Sequence, residues 1–327
     1  MYLTLRMQKT LPQVPPRELA QKLGLFLGKG VAIIGAVALV LLATHFPYNS
    51  DRPLSAAELA KARDFYAKAY DRQKSLEVSP VEDKYAKMAS ESAEFVKEHL
   101  ADFLRAFKLQ DKRILDVGSG QGYLQDVVAD YTGLDISETV QRYYHKPFVL
   151  GSATSMPFAD NTYDVAWSIS VLEHVPNPEA ALVEIRRVVK DGGILYLAPA
   201  WNCTSWAADG YDVRPYADFG LGGKILKAVI PLRFASIHLA TPPVRLARAA
   251  AWTFSGGPTR LLYRRLVPNF QTYWESDSDA VNQLDFYEMS IWFRSRGDEC
   301  LTCDRGVRWL TQTRNPMVIR IHKTGRA

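Results

Sequence analysis

The stretch Ile114-Leu115-Asp116-Val117-Gly118-Ser119-Gly120-Gln121-Gly122 decides the fold of this chain, which has 327 residues. An apolar, β-branched run ends in an acid and then passes three glycines at alternate positions. Farther along, the run Tyr131–Asp135 ends in a second acid. Glycine accepts positive φ and lets the backbone pass close to a ligand. The pattern therefore predicts a strand, a ligand-binding loop, a helix and a second strand.

Strand and helix patterns alternate beyond Arg113, which predicts an α/β fold with a parallel sheet. Strands are expected near 113–117, 131–135, 148–152, 164–169 and 194–198, and after a helix over 286–296 further strands are expected over 298–304 and 317–323. In such a sheet, ligands bind beyond the carboxyl ends of the strands. The glycine loop falls at one of these ends.

The spacing of the glycines distinguishes between two adenosine cofactors. Dinucleotide loops read Gly-x-Gly-x-x-Gly, whereas here the third glycine, Gly122, comes one residue early. Asp116 stands two residues before the first glycine, where a carboxylate would repel a pyrophosphate but not a cationic amino-acid tail. Asp135, at the tip of the second strand, can accept hydrogen bonds from both ribose hydroxyls. The pattern favours S-adenosylmethionine over NAD.

These residues resemble the class I S-adenosylmethionine-dependent methyltransferases of the type 11-like kind. The first motif of that family, acid-x-Gly-x-Gly-x-Gly, matches Asp116–Gly122, and its second acid matches Asp135. The resemblance continues in family order through 153–165, 168–175 and 182–193, and it covers roughly 82–200 with a looser tail at 286–323. It implies a Rossmann-like, seven-stranded, mostly parallel sheet whose last strand is antiparallel.

The resemblance also implies which residues bind the cofactor. They are Asp116, Gly118, Ser119, Gly120, Gly122, Asp135, Ile136, Ser152, Ala153, Thr154 and Ser170. The family often has an acid near Ser152 that accepts from the adenine amino group. Here the serine hydroxyl or the backbone of Ala153 would take that place, with a weaker contact.

The candidate catalytic residues follow the fourth predicted strand. Methyl transfer needs alignment and exclusion of water more than acid catalysis, because the leaving group is a neutral thioether. A base helps where the acceptor is a hydroxyl or an acidic carbon. His174 is the candidate, since its ordinary pKa is close to neutrality, and Glu173 is the runner-up. The alternative is that His174 only positions the substrate.

A metal ion is not expected. A metal-assisted subgroup of quinone-precursor methyltransferases carries Glu-x-x-Glu-His at this place, and Ser170 replaces the first carboxylate here. Asp277 and Asp279 could point into the pocket, but their pattern is that of loop and capping residues.

The net charge and the cysteine content limit the possible partners and the expected state of the thiols. The formal charge of +5 is modest, no basic stripe stands out, and the Asn/Asp-Pro-Pro-Tyr motif of nucleic-acid methyltransferases is missing, so no nucleic-acid partner is expected. Three cysteines cannot form a disulfide framework. Cys300 and Cys303 are expected to be reduced residues of a strand.

The N-terminal region predicts a membrane anchor. Residues 1–22 form a polar tail, and residues 23–46 are strongly apolar with Lys29 near one end. About 20 apolar residues cross the hydrocarbon as a helix. A secretory signal and a buried or interfacial helix are the alternatives. Basic residues nearly balance on the two sides, so the orientation is inferred from the cofactor, which is cytosolic: a single-pass membrane protein with a cytoplasmic catalytic domain.

The remaining sequence divides around the sheet. Residues 50–108 form a helical lead-in, residues 109–200 and 286–323 the methyltransferase core, and residues 201–285 a helical substrate-cover insertion after strand five. The insertion is rich in aromatic residues and includes a basic, apolar run. It is either a lid for an apolar or lipid-linked substrate that touches the bilayer or an ordinary helical insertion with solvated lysines.

Taken together, these features predict a membrane-anchored methyltransferase. Its acceptor would be small and hydrophobic or linked to a lipid or glycan, with oxygen as the accepting atom. The alternative is a membrane scaffold that binds S-adenosylmethionine without catalysis. The oligomeric state is open.

Overall fold

The structure is a computed structural model, and it describes residues 16–43, 46, 48–70, 80–312 and 316–323. The strands are β1 Ile114–Val117, β2 Tyr131–Asp135, β3 Phe148–Leu150, β4 Tyr163–Ile169, β5 Val189–Ala198, β6 Arg264–Arg265, β7 Asn282–Gln283, β8 Glu299–Cys300 and β9 Met317–Arg320. The α-helices are α1 Pro16–Ala43, α2 Ala56–Tyr70, α3 Pro80–Phe107, α4 Pro178–Val188, α5 Leu221–Ser255, α6 Phe286–Arg294 and α7 Val307–Thr311.

Seven strands form one sheet in the order β3-β2-β1-β4-β5-β9-β8. The first five strands of this row pair in parallel, and β9 runs antiparallel to both β5 and β8. The predicted Rossmann-like sheet and the helical insertion after the fifth strand are confirmed. Strand order reverses between β1 and β4, so a crevice forms beyond their carboxyl ends, where α/β sheets bind ligands.

Both faces of the central strands are buried, as is usual for a parallel sheet. Alternate residues of a strand point to opposite faces. Leu115 and Val117 therefore join one core, which also contains Leu182 of α4 and Trp292 of α6. Ile114 joins the other core, which α3 covers with side chains such as Leu100, Phe103 and Leu104.

The helix predicted after the glycine loop is absent, and this expectation was wrong. Residues 121–130, all described, form successive turns. The amide of Gly122 donates to the Ser119 carbonyl at 3.0 Å, that of Gln125 to Gly122 at 3.1 Å, and that of Val127 to Leu124 at 3.1 Å. A crossover between parallel strands usually takes about a dozen residues, including its helix. The glycine loop uses part of that length here, and too little remains for a helix.

Helix α4 ends at Val188, and Gly192 and Gly193 lie in β5. Beyond α6 the structure differs from the prediction. The strand predicted over 298–304 is only Glu299–Cys300. Cys300 and Cys303 form a disulfide with their Cα atoms 5.5 Å apart, so the expectation of reduced strand cysteines was wrong. An extended strand would separate these atoms by roughly 10 Å, and the turn after Cys300 brings them together.

The N-terminal helix is longer than expected. Helix α1 begins at Pro16, inside the predicted polar tail, and residues 1–15 of that tail lie outside the described residues. Its segment Ala20–Leu39 has a mean hydropathy of 1.7 and none of it is buried, so by length and composition it can cross a membrane. In the lead-in, Ser55 and Glu58 form a reciprocal capping box at the start of α2.

We predict that the ion pair between α4 and the final strands is a main stabilising contact. Arg186 donates to both carboxylate oxygens of Asp298, at 2.8 and 3.1 Å, and the Asp298 side chain is fully buried. Asp298→Ala should lower the free energy of unfolding by about 3 kcal/mol, because a largely buried charge loses its partner. Denaturant unfolding measures this.

The neighbouring pair Glu299–Arg320 provides the control. Its N–O distance is also 2.8 Å, but its side chains are 52% and 41% exposed. Glu299→Ala should therefore cost less than about 1 kcal/mol. Equal losses for the two variants would contradict the role given to Asp298.

Candidate active site

The glycine loop lies at the point where the strand order reverses. Gly118, Gly120 and Gly122 have φ values of 75°, 50° and 71°, which favour glycine. The amides of Gly118 and Ser119 both donate to the carbonyl of Leu134, at 2.8 and 3.1 Å. The loop is therefore held against the end of β2, beside the second acid of the motif.

Asp135 connects the glycine loop with the segment after β2. Its Oδ2 accepts from the amide of Gly120 and its Oδ1 from that of Ser137, both at 2.9 Å. Burial raises the pKa of the carboxyl. The next side chain, Ile136, is 52% exposed, so an apolar surface lies directly beside a buried acceptor.

Asp116 lies beneath the loop. Its side chain is 3% exposed, and the Tyr131 hydroxyl donates to it at 2.8 Å. Burial raises its pKa to about 7. The Asp116 carboxylate repels a pyrophosphate only when it is charged, and near neutral pH only part of the population carries that charge. The missing helix gives an independent argument, since a pyrophosphate binds at a helix N-terminus and residues 121–130 do not offer one.

The other predicted cofactor residues lie around this loop. The Ser119 hydroxyl pairs with that of Tyr144 at 2.7 Å. Beyond β3, the amide of Gly151 donates to the Asp135 carbonyl at 2.9 Å, which brings that strand end to the same crevice. The Ser152 and Thr154 hydroxyls pair there at 2.9 Å. Ala153, between them, packs against the main core.

Helix α2 covers the mouth of the crevice. Its last residue, Tyr70, is the nearest neighbour that a Cβ on Gly120 would meet, with the hydroxyl at 3.5 Å. The Thr139 hydroxyl also donates to the Ala67 carbonyl at 3.3 Å. The lead-in helix thus rests on the loop and on the segment after β2.

Two buried polar atoms near the loop fit a polar ligand. Gln121 Nε2 and Ser168 Oγ have no hydrogen-bond partner within the described part of the chain. Ser168 follows Trp167, which pairs with Asp116, so it lies at the level of Val117 and the loop. Buried polar groups normally have partners, and a cofactor with hydroxyl, amino and carboxylate groups could supply them.

A second cluster follows β4. Ser170 turns the chain with φ 53°, and the side chain of Val171 packs against Gly118, where an added Cβ would lie 2.3 Å from it. Three residues farther, His174 Nδ1 is 3.4 Å from Asp279 Oδ2, and its Nε2 is 3.8 Å from Glu173 Oε1. The two clusters therefore meet through Val171.

The acids of this cluster come from the turn after β4 and from the last part of the insertion. Glu173 and Asp279 are fully buried, and His174 has a side chain that is 12% exposed. The Tyr66 hydroxyl of α2 donates to Asp279 Oδ2 at 2.8 Å, and its ring contacts the imidazole edge-on. Glu173 Oε1 accepts from the amide of Ala200 at 3.0 Å.

The surroundings of this cluster raise the pKa values of Glu173, Asp277 and His174. Burial raises the pKa of Glu173 to about 7 and also raises that of Asp277. Burial alone would lower the pKa of His174, but the charges of Asp279, Glu173 and Asp277 outweigh it, and the pKa is raised. The imidazole is thus poised to accept a proton and to be stabilised once charged.

Three members of this cluster are not predicted as site residues from the sequence. Tyr66 lies in the lead-in, and the local pattern of Asp277 and Asp279 favours loop and capping roles. The closely spaced acids before the returning strand were the only local signal. Ligand atoms of Glu173, His174 and Asp277 lie within 4.8 Å of one another, a spacing that a divalent cation could also bridge. The Glu-x-x-Glu-His motif has Ser170 in place of its first carboxylate. The insertion thus supplies a carboxylate, that of Asp277, beside the remaining Glu173 and His174.

The sequence is similar to those of known methyltransferases. Residues 115–197 match the family described as methyltransferase domain. Phthiotriol/phenolphthiotriol dimycocerosates methyltransferase 1 of Mycobacterium ulcerans is 31% identical over 140 residues, 37% of this chain and 52% of the relative. The ubiquinone biosynthesis O-methyltransferase of Dechloromonas aromatica is 35% identical over 111 residues, 29% and 47% of the two chains.

A third relative is the demethylmenaquinone methyltransferase of Renibacterium salmoninarum, 36% identical over 97 residues, 27% of this chain and 40% of the relative. The chain spans about half the length of the curated relatives it matches. It carries a class I S-adenosylmethionine-dependent methyltransferase domain. S-adenosylmethionine is the cofactor of that domain, as the sequence predicted.

We predict that Gly118 is required for packing between the two clusters. The sequence suggests that a larger residue would fill ligand space, but an added Cβ points at Val171 instead. Gly118→Ala should lower the free energy of unfolding by about 3 kcal/mol, of which about 1 is backbone strain and the rest overpacking. Denaturant unfolding measures the loss.

Gly192 is the matched control, because it has φ 73° and nothing within 4 Å of an added Cβ. Gly192→Ala should cost about 1 kcal/mol from backbone strain alone. Adding Val171→Ala should recover part of the loss in the Gly118 variant. Absence of any recovery would show that the contact with Val171 is not the cause.

Proposed function

We propose that the protein is an enzyme that transfers a methyl group from S-adenosylmethionine to the oxygen of a small hydrophobic, lipid-linked or glycan-linked acceptor. One observation carries this proposal: a buried imidazole, surrounded by carboxylates, lies next to the glycine loop that would hold the cofactor. Bound there, the cofactor supplies an electrophilic methyl group on a sulfonium. The side chains around the cofactor have to bind the acceptor, orient its hydroxyl towards the methyl group and take up the proton that this hydroxyl loses.

In this proposal the strand ends hold the cofactor. Asp135 would accept from the ribose hydroxyls, and Gly118, Gly120 and Gly122 would let the backbone approach the cofactor. Ile136 would contact the adenine, and Ser152, Ala153 and Thr154 would lie beside it. Ser119, Ser170 and Asp116 would complete the cofactor site. The exposed apolar surface of Ile136 beside a buried acceptor supports these roles.

His174 is the proposed general base. A proton held on Nδ1 faces Asp279, which leaves the lone pair on Nε2 to accept from the hydroxyl of the acceptor. The charge that forms on the imidazole is balanced by Asp279 and Glu173. Tyr66 holds Asp279 in place through its hydroxyl. Glu173 is the alternative base, because its pKa of about 7 also suits proton transfer at neutrality.

The surroundings of the base favour a hydrophobic acceptor. The ring of Tyr66 contacts both His174 and Phe270, and Phe270 contacts Phe65, so an aromatic wall stands beside the imidazole. The names of two relatives contain a mycocerosate lipid and a quinone. Helix α1 is the proposed single-pass anchor. The catalytic domain faces the cytoplasm in this proposal, where the cofactor is available.

The experiment that tests the proposal is a search for the acceptor. The full chain in phospholipid vesicles is incubated with methyl-labelled S-adenosylmethionine and fractions of a bacterial lipid extract. We expect label to enter an apolar compound at a hydroxyl group. Cofactor binding without any labelled product would instead favour a non-catalytic scaffold.

We predict that Asp135→Asn weakens cofactor binding. The variant keeps the shape of the side chain but loses the charged acceptor, so the affinity measured by calorimetry should fall about 10- to 100-fold. Asp130→Asn, at an exposed position just before β2, should leave the affinity unchanged. An unaltered affinity in the Asp135 variant would exclude the ribose contact.

We predict that His174 and Asp279 control the acid limb of the pH–rate profile. A base has to be neutral, so the rate should rise with pH through the pKa of His174, above that of free imidazole. His174→Ala should lower kcat by about 100-fold or more without changing cofactor affinity. Asp279→Asn removes a negative charge, so the midpoint should move to lower pH while kcat falls.

Two controls accompany these variants. Asp218→Asn removes an acid that is 38% exposed in the insertion, and it should leave the profile unchanged. Chelation of divalent cations should leave turnover intact. Loss of turnover on chelation, with recovery on adding Mg²⁺, would favour a bridging cation over a simple proton acceptor. A profile that does not move in Asp279→Asn would remove Asp279 from its role.

A further inference from the structure

Helix α5 has an inverted distribution of polar side chains. Arg245 is 4% exposed, and its guanidinium donates to Asp285 at 2.8 Å and to the carbonyls of Leu310 and Gln312 at 2.9 Å. Arg248 pairs with Glu288 at 3.0 Å. These basic groups of the helix are therefore turned towards the protein, where their partners are acids and carbonyls.

Two further basic residues of α5, Lys227 and Arg233, also face the protein. The Lys227 ammonium donates to the carbonyl of Tyr211. The guanidinium of Arg233 lies over the ring of Trp206, 4.4 Å from its centroid. From Lys227 to Arg248, every lysine and arginine of α5 thus contacts the 206–211 segment or the core.

The opposite face of α5 is an apolar stripe. Its members recur every three or four residues, which places them on one side of a helix. They are Leu221, Ile225, Ala228, Leu232, Ala235, Leu239, Pro243, Leu246, Ala250 and Phe254. Leu239 is 79% exposed, Leu246 59% and Phe254 90%. The stripe has no charged member over the whole helix, and only Leu232 is partly buried.

A surface helix in water has the reverse arrangement, with apolar residues inward and charges outward. The apolar stripe of α5 therefore needs an apolar partner. Exposed Lys224 and His238 lie at its margin, and long basic side chains at such places can reach polar headgroups. The pattern suits a boundary between hydrocarbon and water.

The neighbouring helix indicates which partner covers the stripe. Helix α5 contacts α1, whose apolar segment is unburied and long enough to cross a membrane. The exposed stripe therefore lies on a helix that contacts the membrane-length segment. At about 1.5 Å per residue, the 35 residues of α5 extend over roughly 50 Å, longer than the hydrocarbon thickness. Its other face carries paired charges, so α5 suits the membrane surface rather than a span.

We propose that α5 is an in-plane membrane helix whose apolar stripe inserts at the boundary between headgroups and acyl chains of a phospholipid bilayer. Its paired basic face keeps the methyltransferase core on the aqueous side. This inference does not depend on catalysis. It does place the insertion at the bilayer surface, so a lipid-linked molecule reaches the domain without crossing water.

Apolar photolabelling of the full chain tests this proposal. The protein is reconstituted in vesicles of phosphatidylcholine and phosphatidylglycerol with a diazirine reagent that partitions into hydrocarbon, and labelled peptides are mapped by mass spectrometry. We expect label at Leu239, Leu246 and Phe254. Val183 of α4 is the internal control, because it is also exposed, at 48%, but lies on the core. It should remain unlabelled.

A charged variant adds a second measurement. Leu239→Glu combined with Leu246→Glu should lower labelling of α5 by roughly tenfold or more, because carboxylates are costly in hydrocarbon. Val183→Glu should leave that labelling unchanged. Far-UV circular dichroism and cofactor affinity verify that each variant is folded and that the cofactor site is intact.

The labelling pattern distinguishes an in-plane helix from a membrane anchor at α1 alone and from a dimer interface. Label on α1 but none on the stripe would overturn it while leaving the anchor. Label on the stripe but none on α1 would support it and remove α1 as the anchor. An unlabelled stripe together with a dimer that Leu239→Glu dissociates would show that a second copy covers it, which also overturns the proposal. Loss of methyl transfer affects none of these readouts.

Discussion

The candidate active site depends on the attachment of the returning insertion to the turn after β4. The carbonyl of Glu173 accepts from the amides of Val281 and Asn282, at 3.0 and 2.9 Å. The Asn282 side-chain amide donates to the carbonyls of Leu172 and Val175, at 3.1 and 2.7 Å. Asn282 is fully buried, so these contacts are shielded from water. They bring Asp279 to His174 across more than a hundred residues of sequence.

The resulting cluster is unfavourable for folding in isolation. Carboxylates of Glu173, Asp277 and Asp279 surround a single imidazole, and burial raises the pKa of the first two. Two fully buried acids and a partly buried third beside one base cost desolvation energy that hydrogen bonds recover only in part. Such arrangements are concentrated at functional sites, where perturbed pKa values suit proton transfer. The rigid sheet behind the cluster and the bonds of Asn282 maintain it against this cost.

The insertion links the two parts of the proposed function. One end carries the acids that face His174, and its long helix carries paired arginines inward and an apolar stripe outward. The same segment thus completes the cluster around His174 and presents an exposed apolar stripe on a helix that contacts α1. A hydrophobic acceptor is consistent with both properties, because apolar surfaces at the bilayer and aromatic rings near the base favour the same chemistry.

Much of the fold was readable from local patterns, because strands, glycine turns and helix caps are short-range features. The run ending at Asp116, the acid Asp135 and the capping box of Ser55 all lie within a few residues of the features they specify. Only the tertiary structure decided the rest. The crossover after Gly122 is too short for the expected helix, and the turn at Cys300 closes a disulfide. The partners of His174 come from Tyr66 and Asp279, far away along the chain. Proximity of that kind depends on how the whole chain packs, and no local spacing encodes it.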